Sequence, residues 1–206
     1  MPIAGRETTM QGWKKMFVMA FATLALVACS GGDAPQFKNS NITGSDFGHG
    51  FDLMDHTGQR RTLADFKGKA VSIFFGYVNC PDVCPTNLIT MRQVMEQLGP
   101  DATRMQVLFV TVDPERDTAE LLSRYVPAFD GRFLGLYGTL EETAAVAKDF
   151  KVVYRKSGDV NGPNYTVDHS AGTYIFDPAG KLRLYVRHGE TADNIAHDVK
   201  MLLDGV

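Results

Sequence analysis

Cysteine is scarce in this 206-residue chain, which carries three: Cys29, Cys80 and Cys84. Three are too few for a disulfide-stapled framework, so a hydrophobic core must hold the fold. Positive charge is scarce too. Lys and Arg number 21 against 24 Asp and Glu, a formal net charge of −3, and no basic stripe runs along the sequence. Nucleic-acid binding, which needs such a stripe, is excluded on this reading. Long apolar runs are also missing. The run from Met16 to Ala28 covers 13 residues and is broken by Thr23, short of the roughly 20 that a membrane-spanning helix needs. No internal repeat is found, which argues against solenoids and propellers.

The amino terminus does hold a basic patch, Trp13-Lys14-Lys15, ahead of that apolar run. The two together suit a secretory signal peptide. The junction Leu26-Val27-Ala28-Cys29-Ser30-Gly31-Gly32 resembles the processing box of bacterial lipoproteins. By that resemblance residues 1–28 are removed, and Cys29 is acylated on its sulfur and its new amino group. The expectation is a lipid-anchored protein of the bacterial cell envelope, facing the periplasm, with the inner membrane preferred over the outer. Cleavage leaves 178 residues with 18 basic and 23 acidic side chains, a formal charge of −5. That length fits one domain with a real core. Residues 29–46, rich in Gly, Ser, Asn and Asp, read as a flexible tether. Residues 47–206 read as the folded domain.

Within the domain, Phe51 to Asp55 and Arg61-Thr62-Leu63 flank the turn His56-Thr57-Gly58-Gln59, a short hairpin. Ala70 to Tyr77 and Met105 to Val112 are nearly continuous apolar strands, as in a sheet covered on both faces. Between them a helix is predicted from Pro85, which suits a first helical position, to Leu98, with Gly99-Pro100 as its stop. Asp117-Thr118-Ala119-Glu120 and Thr139-Leu140-Glu141-Glu142 read as capping boxes opening two more helices. A strand from Phe133 to Tyr137 lies between these helices, and a loop spans Ser157 to Thr166. Gly172 to Phe176 and Lys181 to Val186 form a hairpin, and Ile195, Val199, Leu202 and Leu203 mark the buried face of a closing helix. This order predicts an α/β domain, a central mixed sheet with helices on both faces. Cysteines just after the first long strand make the pattern thioredoxin-like.

The chemistry is expected at that strand-to-helix corner, Cys80-Pro81-Asp82-Val83-Cys84-Pro85. The helix dipole there favours thiolate over thiol. Two thiolates four positions apart either share a metal ion or close a disulfide. His169, in Tyr165-Thr166-Val167-Asp168-His169-Ser170, precedes the strand that begins near Gly172. In a thioredoxin-like arrangement the entry to that strand faces the cysteine corner. Two thiolates and one imidazole suit Cu(I), or Zn(II) completed by water. Spacing alone leaves open whether His169 reaches the sulfurs or caps a loop. Asp113, at a strand end, is a candidate for steering a partner or orienting a ligand, and Asp82, between the cysteines, for contact with a docking protein. Each also reads as an ordinary turn or loop residue. His49, His56, His188 and His197 read as structural or exposed, and Met91 and Met95 as core filling.

Four segments, taken together, resemble the signature of the Sco/SenC family: Phe75-Gly76-Tyr77, the Cys80 to Pro85 motif, Val110-Thr111-Val112-Asp113-Pro114-Glu115-Arg116-Asp117, and Val167-Asp168-His169-Ser170. Four motifs in order are far more specific than any one of them. The resemblance covers about residues 47–204. It implies a thioredoxin fold binding one copper ion through Cys80, Cys84 and His169. It further implies a metallochaperone that serves the dinuclear copper site of cytochrome c oxidase, with the copper-bearing oxidase subunit as partner and no small-molecule substrate. The alternative is a thiol–disulfide oxidoreductase that keeps a partner's cysteines reduced, with Cys80 as the attacking thiolate.

Overall fold

The computed structural model describes residues 1–2, 36–160, 162 and 164–206. Residues 3–28 of the expected signal segment and Cys29 lie outside the described residues. The folded unit runs from Phe37 to Val206. In chain order its strands are β1 (Ser40–Asn41), β2 (Asp52–Asp55), β3 (Arg60–Thr62), β4 (Ala70–Gly76), β5 (Met105–Thr111), β6 (Leu134–Tyr137), β7 (Tyr154–Ser157), β8 (Thr166–His169), β9 (Thr173–Phe176) and β10 (Leu182–Val186). The helices are α1 (Val83–Leu98), α2 (Ala119–Tyr125), α3 (Leu140–Asp149) and α4 (Ala192–Leu203).

Eight strands form one sheet in the order β1-β10-β9-β4-β5-β6-β2-β3. Strand β4 lies parallel to β5, from Ala70 opposite Met105 to Gly76 opposite Thr111, and β5 is parallel to β6. The remaining pairs are antiparallel, so the sheet is mixed, as expected. Every residue of β4 and β5 is buried, which requires cover on both faces of the sheet. Helices α1 and α4 pack against each other, α2 lies on β6, and α3 touches β2. Phe74, Phe75, Phe109, Phe150 and Phe176, all below 2% exposed, fill the centre. The thioredoxin-like α/β arrangement is therefore present.

The structure departs from the sequence reading at four places. Residues 37–46 are not a tether. Ser40 and Asn41 pair with Tyr185 and Leu184, and the buried Asp198 carboxylate accepts the Lys38 and Asn39 backbone N–H groups at 2.8 Å and the Asn39 amide at 2.9 Å. A polar composition hid this strand, because its partners are backbone groups and one distant carboxylate. Second, α1 starts at Val83, so Cys84 lies inside the first helical turn and Pro85 is its third residue. Third, the cap of α2 is Thr118, whose side chain accepts from the Leu121 N–H, and Asp117 is engaged elsewhere. The box at Thr139 and Glu142 is present as predicted. Fourth, two strands not read from the sequence flank the expected loop and share only Ser157 and Thr166 with it. β7 and β8 form a separate two-stranded sheet that pairs Tyr154 with His169 and Ser157 with Thr166.

Candidate metal centre

Gly76 ends β4, and the chain then turns through Tyr77, Val78 and Asn79 to Cys80. This turn is held from below by Asp117, which accepts the Val78 N–H at 3.0 Å and the Thr111 hydroxyl at 2.6 Å. Gly76 is needed for space. A Cβ there would lie 2.7 Å from the Cys84 sulfur, 2.8 Å from the Phe74 ring and 2.9 Å from the Phe109 ring.

The two cysteines are unbonded and unequal. Cys80 is half-buried and Cys84 fully buried. The Cys84 backbone N–H donates to the Cys80 sulfur at 3.4 Å, so Cys80 occupies a capping place at the positive end of α1. For Cys84 the dipole expectation fails. Burial pushes its thiol far up, and the neighbouring Cys80 and Asp117 push the same way, against one backbone hydrogen bond from Tyr77. Desolvation outweighs the helix dipole at this thiol.

His169 arrives from β8. Its Nδ1 lies 3.0 Å from the Ser170 carbonyl, which can only accept, so Nδ1 carries the proton. The Nε2 lone pair is then directed at the Cys84 sulfur, 3.5 Å away. Phe74 and Tyr77 meet the imidazole edge-on, with ring centroids 5.9 and 5.8 Å distant. Burial lowers the pKa of this histidine, which keeps it neutral and able to bind a metal. The donor atoms of Cys80, Cys84 and His169 all lie within 4.8 Å of one another. Among the described residues no other group of three such side chains comes together in this way. Two sulfurs and one imidazole nitrogen are a soft donor set, suited to Cu(I) or Zn(II) and unsuited to hard cations.

The other candidates fare differently. Asp82 is exposed at the start of α1, within 3.5 Å of the Thr86 hydroxyl. Asp113 is 2% exposed and accepts hydrogen bonds from Arg116 and Tyr165. Asp117, read from sequence as part of a helix cap, and Gly76 and Tyr77, quoted only within the Phe75-Gly76-Tyr77 motif, also build this corner.

The SCO1/SenC family model matches residues 39–204. The chain belongs to the SCO1/SenC family. It is 40% identical over 152 residues to the mitochondrial SCO2 homolog of Bos taurus, covering 73% of this chain and 57% of that protein. The match thus spans less than two thirds of that relative's length. Among solved structures, Bradyrhizobium japonicum ScoI with copper bound superposes with a TM-score of 0.70 at 36% identity, over 76% of this chain and 99% of that one. The apo Sco1 protein of Thermus thermophilus gives a TM-score of 0.73 at 37% identity, over 83% and 99%.

Proposed function

We propose that this SCO1/SenC protein binds one copper ion through Cys80, Cys84 and His169 and delivers it to the dinuclear copper site of cytochrome c oxidase. The observation that carries the reading is the convergence of two sulfurs and one ring nitrogen within 4.8 Å, in a fold shared with a copper-loaded ScoI. Copper is the cargo. Cys80 and Cys84 hold it as thiolates, and the cation's own charge offsets the desolvation that keeps Cys84 protonated in the free protein. His169, already neutral and oriented by Ser170, adds nitrogen and so supports Cu(II) as well as Cu(I). The half-exposed Cys80 is the ligand a partner's thiolates reach first, and the exposed Asp82 beside it offers a docking charge. In this reading residues 1–28 direct export, and acylated Cys29 tethers the domain to the periplasmic side of the inner membrane.

The test is copper content of the reduced protein beside a Cys80→Ser/Cys84→Ser variant. One Cu(I) per chain is expected in the first and none in the second; equal loading of both rules out the site. Thiol–disulfide exchange remains a second reading, favoured by the unequal exposure of the pair, an accessible Cys80 against a buried Cys84.

A further inference from the structure

The hairpin that carries His169 is not paired to the eight-stranded sheet. It forms its own two-stranded sheet, and a hairpin alone is marginal in water. At its open end, Ser170 and Val153 bond reciprocally, Ser170 N–H to the Val153 carbonyl at 2.9 Å and Val153 N–H to the Ser170 hydroxyl at 3.0 Å. Those bonds close the hairpin without fastening it to the main sheet.

A side-chain fastening lies at the start of β8. Tyr165, 7% exposed, donates its hydroxyl to Asp113 Oδ1 at 2.7 Å. Arg116 donates from Nε to Asp113 Oδ2 at 2.5 Å and from Nη1 to the Tyr165 carbonyl at 2.8 Å. The Arg116 guanidinium lies over the Tyr165 ring, 3.5 Å from its centroid, and 5.8 Å from that of Tyr77. Tyr77 in turn packs edge-on against His169. Strand β7 is gripped from the same loop, by an ion pair between Lys156 and Glu115, with Lys156 also 4.6 Å from the Tyr165 centroid. Residues 113–116 follow Val112, the first residue past the end of β5, which is the parallel neighbour of the strand leading into the cysteine turn. This loop therefore helps to set the distance between the hairpin and the two sulfurs, beside the contact of the Tyr77 hydroxyl with the Val167 backbone and the burial of Val167 in the core.

We propose that Tyr165 and Arg116 are positioning residues for the metal centre, a latch that holds the β7–β8 hairpin so that His169 Nε2 stays over the cysteine pair. Releasing it, with all three donors intact, turns a three-donor site into a two-sulfur site. The inference deepens the copper reading and rests on it for the metal readout. Two thiolates suffice for Cu(I), whereas Cu(II) depends on the nitrogen.

The experiment titrates the full-length protein and its Tyr165→Leu, Tyr165→Phe and Arg116→Lys variants with Cu(II) sulfate, followed by absorption and electron paramagnetic resonance. Cu(I) is measured against a competing chelator. In parallel, the His169 ring protons are followed by NMR in the metal-free proteins, where the Phe74 and Tyr77 rings shift them. Expected for Tyr165→Leu are Cu(II) binding weaker by about 10–100-fold, the range for loss of a residue that supports a metal ligand, and loss of nitrogen coupling in the spectrum. Cu(I) affinity should stay within about two-fold, since both thiolates remain. Tyr165→Phe, which keeps the ring under Arg116, should fall between it and the wild type. Wild-type Cu(II) spectra and His169 resonances in Tyr165→Leu overturn the latch. If that variant does not fold, wild-type behaviour of both Tyr165→Phe and Arg116→Lys overturns it instead. If the wild type takes up no copper while the ring resonances still move in the variants, the copper reading fails and the latch stands.

Discussion

Nε2 of His169 lies 3.5 Å from the sulfur of Cys84, although 85 positions separate them in the chain. Nothing local brings them together. Cys84 is placed by the first turn of α1 and by the space that Gly76 leaves, and His169 by a hairpin outside the main sheet. The site therefore exists only in the folded chain, and its geometry is open to changes in residues that touch no metal.

Gly76→Ala is the sharpest such change. Gly76 lies in a strand, so backbone freedom is not the issue; room is. The added methyl would meet the Cys84 sulfur and two buried rings at 2.7 to 2.9 Å, and overpacking of this kind costs about 1–3 kcal/mol. The variant should unfold at lower urea concentration and hold Cu(I) more weakly against a chelator. Wild-type values on both measurements would show that the corner has slack.

How much of this was legible beforehand follows from where the information sits. Runs such as Ala70 to Tyr77 and Met105 to Val112 announce buried strands through composition, and Thr139 with Glu142 announces a helix start through local hydrogen bonds; all of these appear in the fold. The edge strand at Ser40–Asn41 was missed because its partners lie far along the chain: Tyr185 and Leu184 pair with it, and Asp198 holds the Lys38 and Asn39 that lead into it. Asp117 was read as a helix cap because its neighbours fit one, whereas its carboxylate serves Val78 and Thr111. The Sco/SenC resemblance marked Cys80, Cys84 and His169, where spacing alone left His169 open, but it could not show that Cys84 would be buried enough to lose the benefit of the helix dipole.

Asp117 also gives a pH signature. Burial raises its pKa from 3.8 to about 6, against the two hydrogen bonds it accepts and with Asp113 adding to the rise. Between these values the folded state binds more protons than the unfolded state, so this group's contribution to stability grows as pH falls from about 6 toward 4. The shift corresponds to about 3 kcal/mol. An Asp117→Asn variant keeps the shape and lacks the titration. Thermal unfolding of both proteins from pH 4 to 8 should show the wild type gaining on the variant as pH drops, with His169 and other groups cancelling in the difference. Parallel profiles would mean that Asp117 titrates normally.

The processing box makes a separate claim about Cys29. If the domain is held by lipid there, Cys29→Ser should release it from the membrane fraction or leave an uncleaved precursor. Copper binding by the purified protein should not change. A Cys29→Ser protein that is cleaved and membrane-bound like the wild type would remove the lipid anchor from the proposal.

The last prediction separates copper delivery from disulfide exchange through what each asks of His169. Exchange proceeds by attack of one sulfur on a disulfide, and needs only Cys80 and Cys84. The half-exposed Cys80 can attack and the buried Cys84 can resolve whether or not an imidazole lies 3.5 Å away. Copper handling draws on all three donors, because a dithiolate without nitrogen supports Cu(II) poorly. His169→Ala should therefore keep a cysteine pair that closes to a disulfide in vitro, while losing assembly of the oxidase copper site in cells. Both readouts are needed, since failed assembly with a pair that no longer oxidises would only report a damaged corner. Oxidase assembled at wild-type levels in this variant would move the function to the disulfide reading, with the imidazole left as a packing neighbour of Phe74 and Tyr77. Lost assembly beside an intact cysteine pair is the expected result, and only the three-donor site accounts for it.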